Sequence, residues 1–238
     1  MFNSFAQYYN EIFPLKKEKL NFIKSHLPLT CKSILDIGCA TGELALALAK
    51  ESYSVIGIDL ESDMIKLAEQ NSIDNRLEFF EMNMTDVLLH FKEGSFDSVL
   101  CLGNTLALLG DVNLIENEIN LIRNLLKQNG MFICQIVNFE KVLKEKHKKF
   151  PVIETDKIKF ERFYEFIPIN RIEFTTKLLI KETNDLFAGS EELYPVQYSE
   201  LQKMLHNAGF KNNLFFGDFK GNQYNEDSGG LISVSRIE

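Results

Sequence analysis

Residues 34–49 read ILDIGCATGELALALA, and this stretch constrains the fold more than any other. A short apolar run over Ser33–Ile37 reads as a buried strand. Gly38-Cys39-Ala40-Thr41-Gly42 then turns the chain. Glu43–Lys50 follows with Leu44, Ala45, Leu48 and Ala49 at helical spacing. A strand feeding a helix through a glycine turn opens a βαβ unit, which commits its neighbours to a parallel sheet. Glycine tolerates strained dihedrals and lets a ligand approach the backbone closely. Open sheets of this kind bind ligands beyond the carboxyl ends of their strands. The first N–H groups of the helix add unpaired donors there.

The chain keeps the alternation. Ser54–Asp59 reads as a second strand, and 62–71 as a helix that Ser62 can cap, with Met64, Ile65 and Ala68 on one face. Leu77–Glu81 is a third strand and 96–102 a fourth. An amphipathic helix is expected over 114–126, with Gly130 as its stop, before a fifth strand over 131–137. The pattern then changes. Residues 140–149 (EKVLKEKHKK) form a charged helical run. Residues 158–166 and 171–182 alternate apolar and polar, as antiparallel strands with one wet face do. A capped helix over 199–207 and strands over 213–219 and 231–235 complete the main sheet. The expected class is therefore α/β, with a small antiparallel β insert on a mostly parallel sheet.

Composition excludes several functions. The 34 acidic residues outnumber 26 basic ones, a net charge of −8, so a large phosphate-binding surface is not expected and nucleic acid is disfavoured as partner. The 45% hydrophobic content excludes disorder for the chain as a whole. Apolar runs stop short of the ~20 residues a membrane helix needs. The N-terminus has no basic start followed by an apolar run, so no secretory signal is expected. Cys31, Cys39, Cys101 and Cys134 form no CxxC pair, and the histidines are scattered. No metal site is expected, and the expected compartment is the reducing cytoplasm.

The turn also limits its ligand. A dinucleotide fingerprint, G-x-G-x-x-G, would place glycine where this chain has Gly38, Ala40 and Glu43. A carboxylate at that third position repels a pyrophosphate at a helix N-terminus. No GK[ST] follows, which excludes a P-loop. Asp59 ends the second strand, 17 positions after Gly42, where an acid can accept hydrogen bonds from ribose hydroxyls. A glycine turn and a ribose acid without phosphate recognition point to S-adenosylmethionine.

With these motifs in this order, the chain resembles the class I S-adenosylmethionine-dependent methyltransferases, and among them the small-molecule, glycine N-methyltransferase-like group. The resemblance implies a Rossmann-like seven-stranded sheet with helices on both faces; the insert, which matches nothing specific in the family, would lie between strands five and six. Residues 1–139 and 185–238 would form the core, and 140–184 a substrate-side subdomain. It implies cofactor contacts from Asp36, Gly38, Cys39, Ala40, Thr41 and Gly42 in the first turn, and from Asp59, Leu60 and Met64 around the ribose acid. In EFFEMNM, Asn83 and Met84 would lie beside the adenine; a second register would use Asp86. In FDSVLCLGNTLALL, Leu102, Gly103 and Asn104 would face the methionine part and the methyl. Tyr9-Asn10 resembles a Tyr-Asp pair that closes over the cofactor, with Asn10 departing from it. Where relatives read Ser-x-Arg before the last strand, this chain has Ser228-Gly229-Gly230.

The expected reaction is methyl transfer by in-line displacement to a small-molecule acceptor, an amine or hydroxyl, by a monomer or homodimer. The alternatives are an RNA or protein methyltransferase, or a catalytically silent binding module. A base is optional for a neutral amine. Candidates near the chemistry are Tyr9, Asn104 and Tyr198, with His147 and His206 as further bases. Arg162 and Arg171 on the insert are candidates for a substrate carboxylate. The cysteines read as small buried hydrophobes, and 141–149 as a solvated helix face. Phe160, Phe163, Tyr164 and Phe166 read as the insert's core, the alternative being an aromatic cage for a cationic amine.

Overall fold

The computed structural model describes residues 6–72, 75–146 and 148–237. Two short helices lead in, α1 (Tyr9–Ile12) and α2 (Lys17–His26). The alternating part follows as β1 (Ser33–Ile37), α3 (Glu43–Lys50), β2 (Ser54–Asp59), α4 (Ser62–Gln70), β3 (Leu77–Glu81), α5 (Val87–His90), β4 (Phe96–Cys101), α6 (Val112–Leu125) and β5 (Leu126–Val137). After α7 (Phe139–Glu145) come β6 (Ile153–Glu154), β7 (Ile158–Ile167), β8 (Arg171–Ile180) and β9 (Asp185–Leu193). The chain closes with α8 (Tyr198–Asn207), β10 (Lys211–Phe216) and β11 (Gly230–Arg236).

The main sheet has the order β10-β11-β5-β4-β1-β2-β3. β1 to β5 are mutually parallel, while β11 runs antiparallel to β5 and to β10. Strand order reverses between β1 and β4, so the turns leaving both strands flank one crevice. Apolar side chains cover both faces. One cluster joins Ile34, Leu48, Val55 and Ile133, and the other joins Leu35, Val99, Phe132 and Ile119.

The second sheet is a meander, β6-β7-β8-β9. It reaches beyond residue 184, because Asp185–Leu193 pairs with β8 from Ile180↔Asp185 to Ile172↔Leu193. The sequence reading placed residues 185–193 with the core. Its polar, mostly exposed edge strand carries little apolar alternation to reveal it. The sheet is tied to the core through Tyr164, Ile172 and Leu193, which share one buried cluster with Phe132 and Leu201.

Other boundaries move for local reasons. β5 starts at Leu126, directly after α6, and five of its residues oppose two on β4 (Phe96↔Leu126, Ser98↔Met131). Gly130 thus lies inside a bulged strand rather than at a helix stop, and Asn129 takes the positive φ of 62°. Glu61 occupies the cap position of α4, and Ser62 is the first helical residue. α6 begins earlier than expected because Asp111 accepts from the N–H groups of Asn113 and Leu114. α8 begins at Tyr198, with the Gln197 N–H donating to Glu200. Among the described residues no helix is long and apolar enough to cross a membrane, and no group of three or more His, Cys, Asp or Glu is placed to hold a metal ion.

Candidate functional site

The crevice at the switch between β1 and β4 holds two adjoining cavities, of about 310 and 520 Å³. Tyr9, Gly38, Ala40, Gly103, Thr105 and Leu108 line both and form the waist between them. Cavities of this size suit small-molecule ligands.

The β1 turn is built around two unusual conformations. Gly38 has φ 72°, and a Cβ there would stand 2.4 Å from Thr105 Oγ1. Thr105 cannot retreat cheaply, because its hydroxyl donates to the Leu102 carbonyl at 2.7 Å. Ala40 takes φ 50°, a region that costs a non-glycine residue about 1–2 kcal/mol. Asp59 holds it there by accepting the Ala40 N–H at 2.8 Å through Oδ2. Asp59 Oδ1 accepts the Glu61 N–H at 3.0 Å. The Asp59 carboxylate also lines the first cavity. Burial raises the Asp59 pKa, opposed by the backbone N–H groups of Glu61, Ala40 and Leu60.

The β4 turn is clamped from β5. Gly103 N–H donates to Gln135 Oε1 at 2.9 Å, Asn104 N–H to the Gln135 carbonyl at 3.1 Å, and Val137 N–H to Asn104 Oδ1 at 3.1 Å. Gly103 and Asn104 are both left-handed, at φ 71° and 74°. A Cβ on Gly103 would meet no protein atom within 4 Å, so this backbone leaves room for a ligand at the waist.

The first cavity is completed by Leu60, Met64, Met82, Asn83 and Met84. Asn83 caps the 3-10 turn Met84–Asp86 through the Thr85 N–H. Asp86 is exposed and lines neither cavity, so the register with Asn83 is the one that meets the crevice. The second cavity takes in Asp36, Cys39, Thr41, Leu102, Asn104 and Arg162. Thr41 donates its hydroxyl to Asn10 Oδ1, which ties the N-terminal segment to the turn. Tyr9 spans the waist. Its phenol is raised by burial and by the Asp59 and Asp36 carboxylates, so it remains protonated. Burial pushes Asp36 up to about 7, against the pull of Lys19 and with the help of Asp59. Lys19 also faces Glu43, and burial lowers its ammonium pKa.

Most sequence-predicted site residues therefore meet at one crevice. Gly42 does not line it; it precedes α3 at φ 75°, with the Phe79 ring against it. Tyr198 lies elsewhere, stacked on Tyr224 with ring centres 5.0 Å apart. His206 lines neither cavity, and His147 lies outside the described residues. Arg171 also faces away: its guanidinium bonds Asp111 at 3.2 Å and covers the Tyr194 ring. Cys39, Cys101 and Cys134 are buried, and burial pushes their thiols up, Cys134 to about 12, as inert packing residues require. Lys141 and Lys144 bond the Asp227 carbonyl and Glu226 rather than the crevice. Sequence reading missed Lys19, whose helix it did not recognise, and Phe150 and Phe174. It also missed Gln135, a polar residue in an apolar strand.

A family model described as a methyltransferase domain matches residues 31–209. A putative methyltransferase of Geobacillus sp. is 37% identical over 44% of this chain and 42% of its own length. The glycine/sarcosine N-methyltransferase of Aphanothece halophytica is 25% identical over 90% of this chain and 80% of its own. Human glycine N-methyltransferase is 28% identical over 48% of this chain and 43% of its own, so the chain spans less than half the length of two of these three relatives. A methyltransferase from Clostridium acetobutylicum shares the fold at a TM-score of 0.83, with 17% identity over 99% of this chain and 98% of its own. CalS10 from Micromonospora echinaspora, an amino pentose methyltransferase solved with S-adenosylmethionine bound, shares it at 0.68, with 16% identity over 100% of this chain and 98% of its own. With a family match across three quarters of its length, the chain belongs to the S-adenosylmethionine-dependent methyltransferases.

Proposed function

We propose that the protein methylates a small-molecule acceptor, at an amine or hydroxyl, by in-line displacement. The observation that carries this is the two-lobed crevice. Its first lobe has the polar groups a nucleoside needs; its second is walled by Phe13, Phe150, Tyr164 and Phe174. S-adenosylmethionine supplies a methyl group on a sulfonium, an activated leaving group. In this reading Asp59 accepts the ribose hydroxyls, and Asn83 and Met84 flank the adenine. Asp36 and Lys19 hold the amino-acid end, beside Leu102, Gly103 and Asn104. Tyr9 stands where the lobes meet and orients the reacting atoms. The walls align the acceptor and exclude water, which is the main demand of such a displacement.

An amine acceptor is favoured, because a relative matched along most of both chains is named a glycine/sarcosine N-methyltransferase, and a structural neighbour an amino pentose methyltransferase. A neutral amine needs no base, and no described histidine lines the second lobe.

Calorimetry with S-adenosylmethionine tests the first half of the reading; no binding at millimolar ligand defeats it. The second half is tested by incubating labelled cofactor with a metabolite extract, bulk tRNA and total protein in parallel. Label is expected in the small-molecule fraction, and label confined to macromolecules overturns the assignment.

A further inference from the structure

Resting on the methyl-transfer reading, we propose that the acceptor carries an anionic group, a carboxylate or a phosphate, which docks on Arg162 in the second lobe. Arg162 projects from β7 into the wall of that lobe. Its guanidinium carbon lies 5.0 Å from the centre of the Phe150 ring, 5.7 Å from Phe13 and 5.8 Å from Phe160. These rings displace water from the cation's faces and favour its charge. They leave its N–H edge to find partners in the plane.

Few partners are there. One terminal nitrogen donates to the Pro151 carbonyl at 3.2 Å. Nε is enclosed and has no hydrogen-bond partner. Among the described residues no carboxylate lies within ion-pair distance of Arg162, whereas Arg171, outside the crevice, has Asp111. The other acids lining the lobe are engaged: Asp36 faces Lys19, and Glu43 accepts the Leu15 N–H at 2.9 Å. A half-buried guanidinium with an enclosed, unbonded Nε and no counter-charge carries a desolvation cost. Its planar fork matches a carboxylate or phosphate, so an anionic ligand offsets that cost.

Placement supports a bifunctional acceptor. The Phe13 ring touches Arg162 on one side and Tyr9 on the other, at 5.3 Å between ring centres. Tyr9 stands at the waist. An anion on Arg162 therefore leaves the other end of a small molecule to reach the waist, where the methyl is delivered.

The test is labelled methyl transfer to a metabolite extract, with products separated on an anion exchanger at pH 11. Simple amines are largely neutral there, so a carboxylate or phosphate is retained, and a phenol, also ionised at that pH, is told apart by its phenolate absorbance. Wild type should give a retained labelled product; phosphatase treatment then separates a phosphate ester from a carboxylate. Arg162→Met should lower kcat/KM for the acceptor that gives this product at least 100-fold and leave S-adenosylmethionine affinity within twofold. Arg162→Lys, which keeps the charge but loses the fork, should raise KM at least tenfold with little change in kcat. A labelled product that flows through overturns the proposal. So does a Met variant as active as wild type, or a Lys variant with unchanged KM. Loss of cofactor affinity in both variants would assign Arg162 a structural role instead and equally overturn it. No label in any fraction, with the cofactor bound, defeats the methyl-transfer reading and this proposal with it.

Discussion

Asp59 serves two masters, and its substitution should report both. Its carboxylate fixes the left-handed Ala40 and faces the first cavity. Asp59→Ala should weaken S-adenosylmethionine binding by about 1–3 kcal/mol in calorimetry, and an unchanged affinity would remove Asp59 from the ribose-binding role. Asp36 makes a prediction in pH. Its pKa of about 7 lies above the ordinary carboxylate value, so the free folded protein favours its protonated form. Its contribution to stability is fully present below about pH 4 and is lost as pH rises through 7. A cationic ligand beside it favours the ionised form. Binding below pH 7 should therefore release a proton, and affinity should rise by up to about tenfold per pH unit before levelling above 7. Calorimetry in buffers of different ionisation enthalpy measures the proton directly. Asp36→Asn should bind more weakly and flatten the profile. Glu118, held up at about 8 by burial, lines neither cavity and so should alter stability against pH but not this ligand-linked proton.

The two turns that frame the crevice can be separated by their glycines. Gly38→Ala adds left-handed strain and drives a methyl into Thr105. It should cost about 2–4 kcal/mol, or about 2–4 °C of melting temperature per kcal/mol in a chain of this size. Gly103→Ala has similar strain, φ 71°, but no clash. It should cost only about 1–2 kcal/mol, yet weaken cofactor binding by filling the waist. Thermal melts paired with calorimetry distinguish the two, and equal effects on both readouts would refute the distinction. The β1 turn could be read from sequence because the glycines, the periodic helix and Asp59 all lie on nearby elements. Other parts left no local trace. β9 is an exposed edge strand whose partner lies across a turn, and β5 begins early because Leu126 pairs with Phe96 through a bulge. Lys19 and Phe150 reach the crevice only through tertiary packing. Arg162 and Arg171 look alike in sequence, and only the fold places Arg162 in the second cavity and Arg171 against Asp111.

The insert and the main sheet should unfold as one body, although topology draws them as two sheets. Ile172 is on β8, is fully buried and belongs to the cluster that contains Phe132 of β5 and Leu201 of α8. The main-chain bond from Tyr194 N–H to the Ala107 carbonyl, at 3.0 Å, ties the end of β9 to the loop that carries Thr105. Ile172→Ala should cost about 2–5 kcal/mol, as a large buried aliphatic does. The informative feature is the shape of the transition. If the sheets share one core, the whole calorimetric transition shifts down and stays single, with matching van't Hoff and calorimetric enthalpies. If the insert were an independent unit, an early partial transition would appear and the main one would keep its midpoint. Because Ile172 lines neither cavity, the folded variant should bind S-adenosylmethionine as wild type does, and the cofactor should raise its melting temperature by the same linkage.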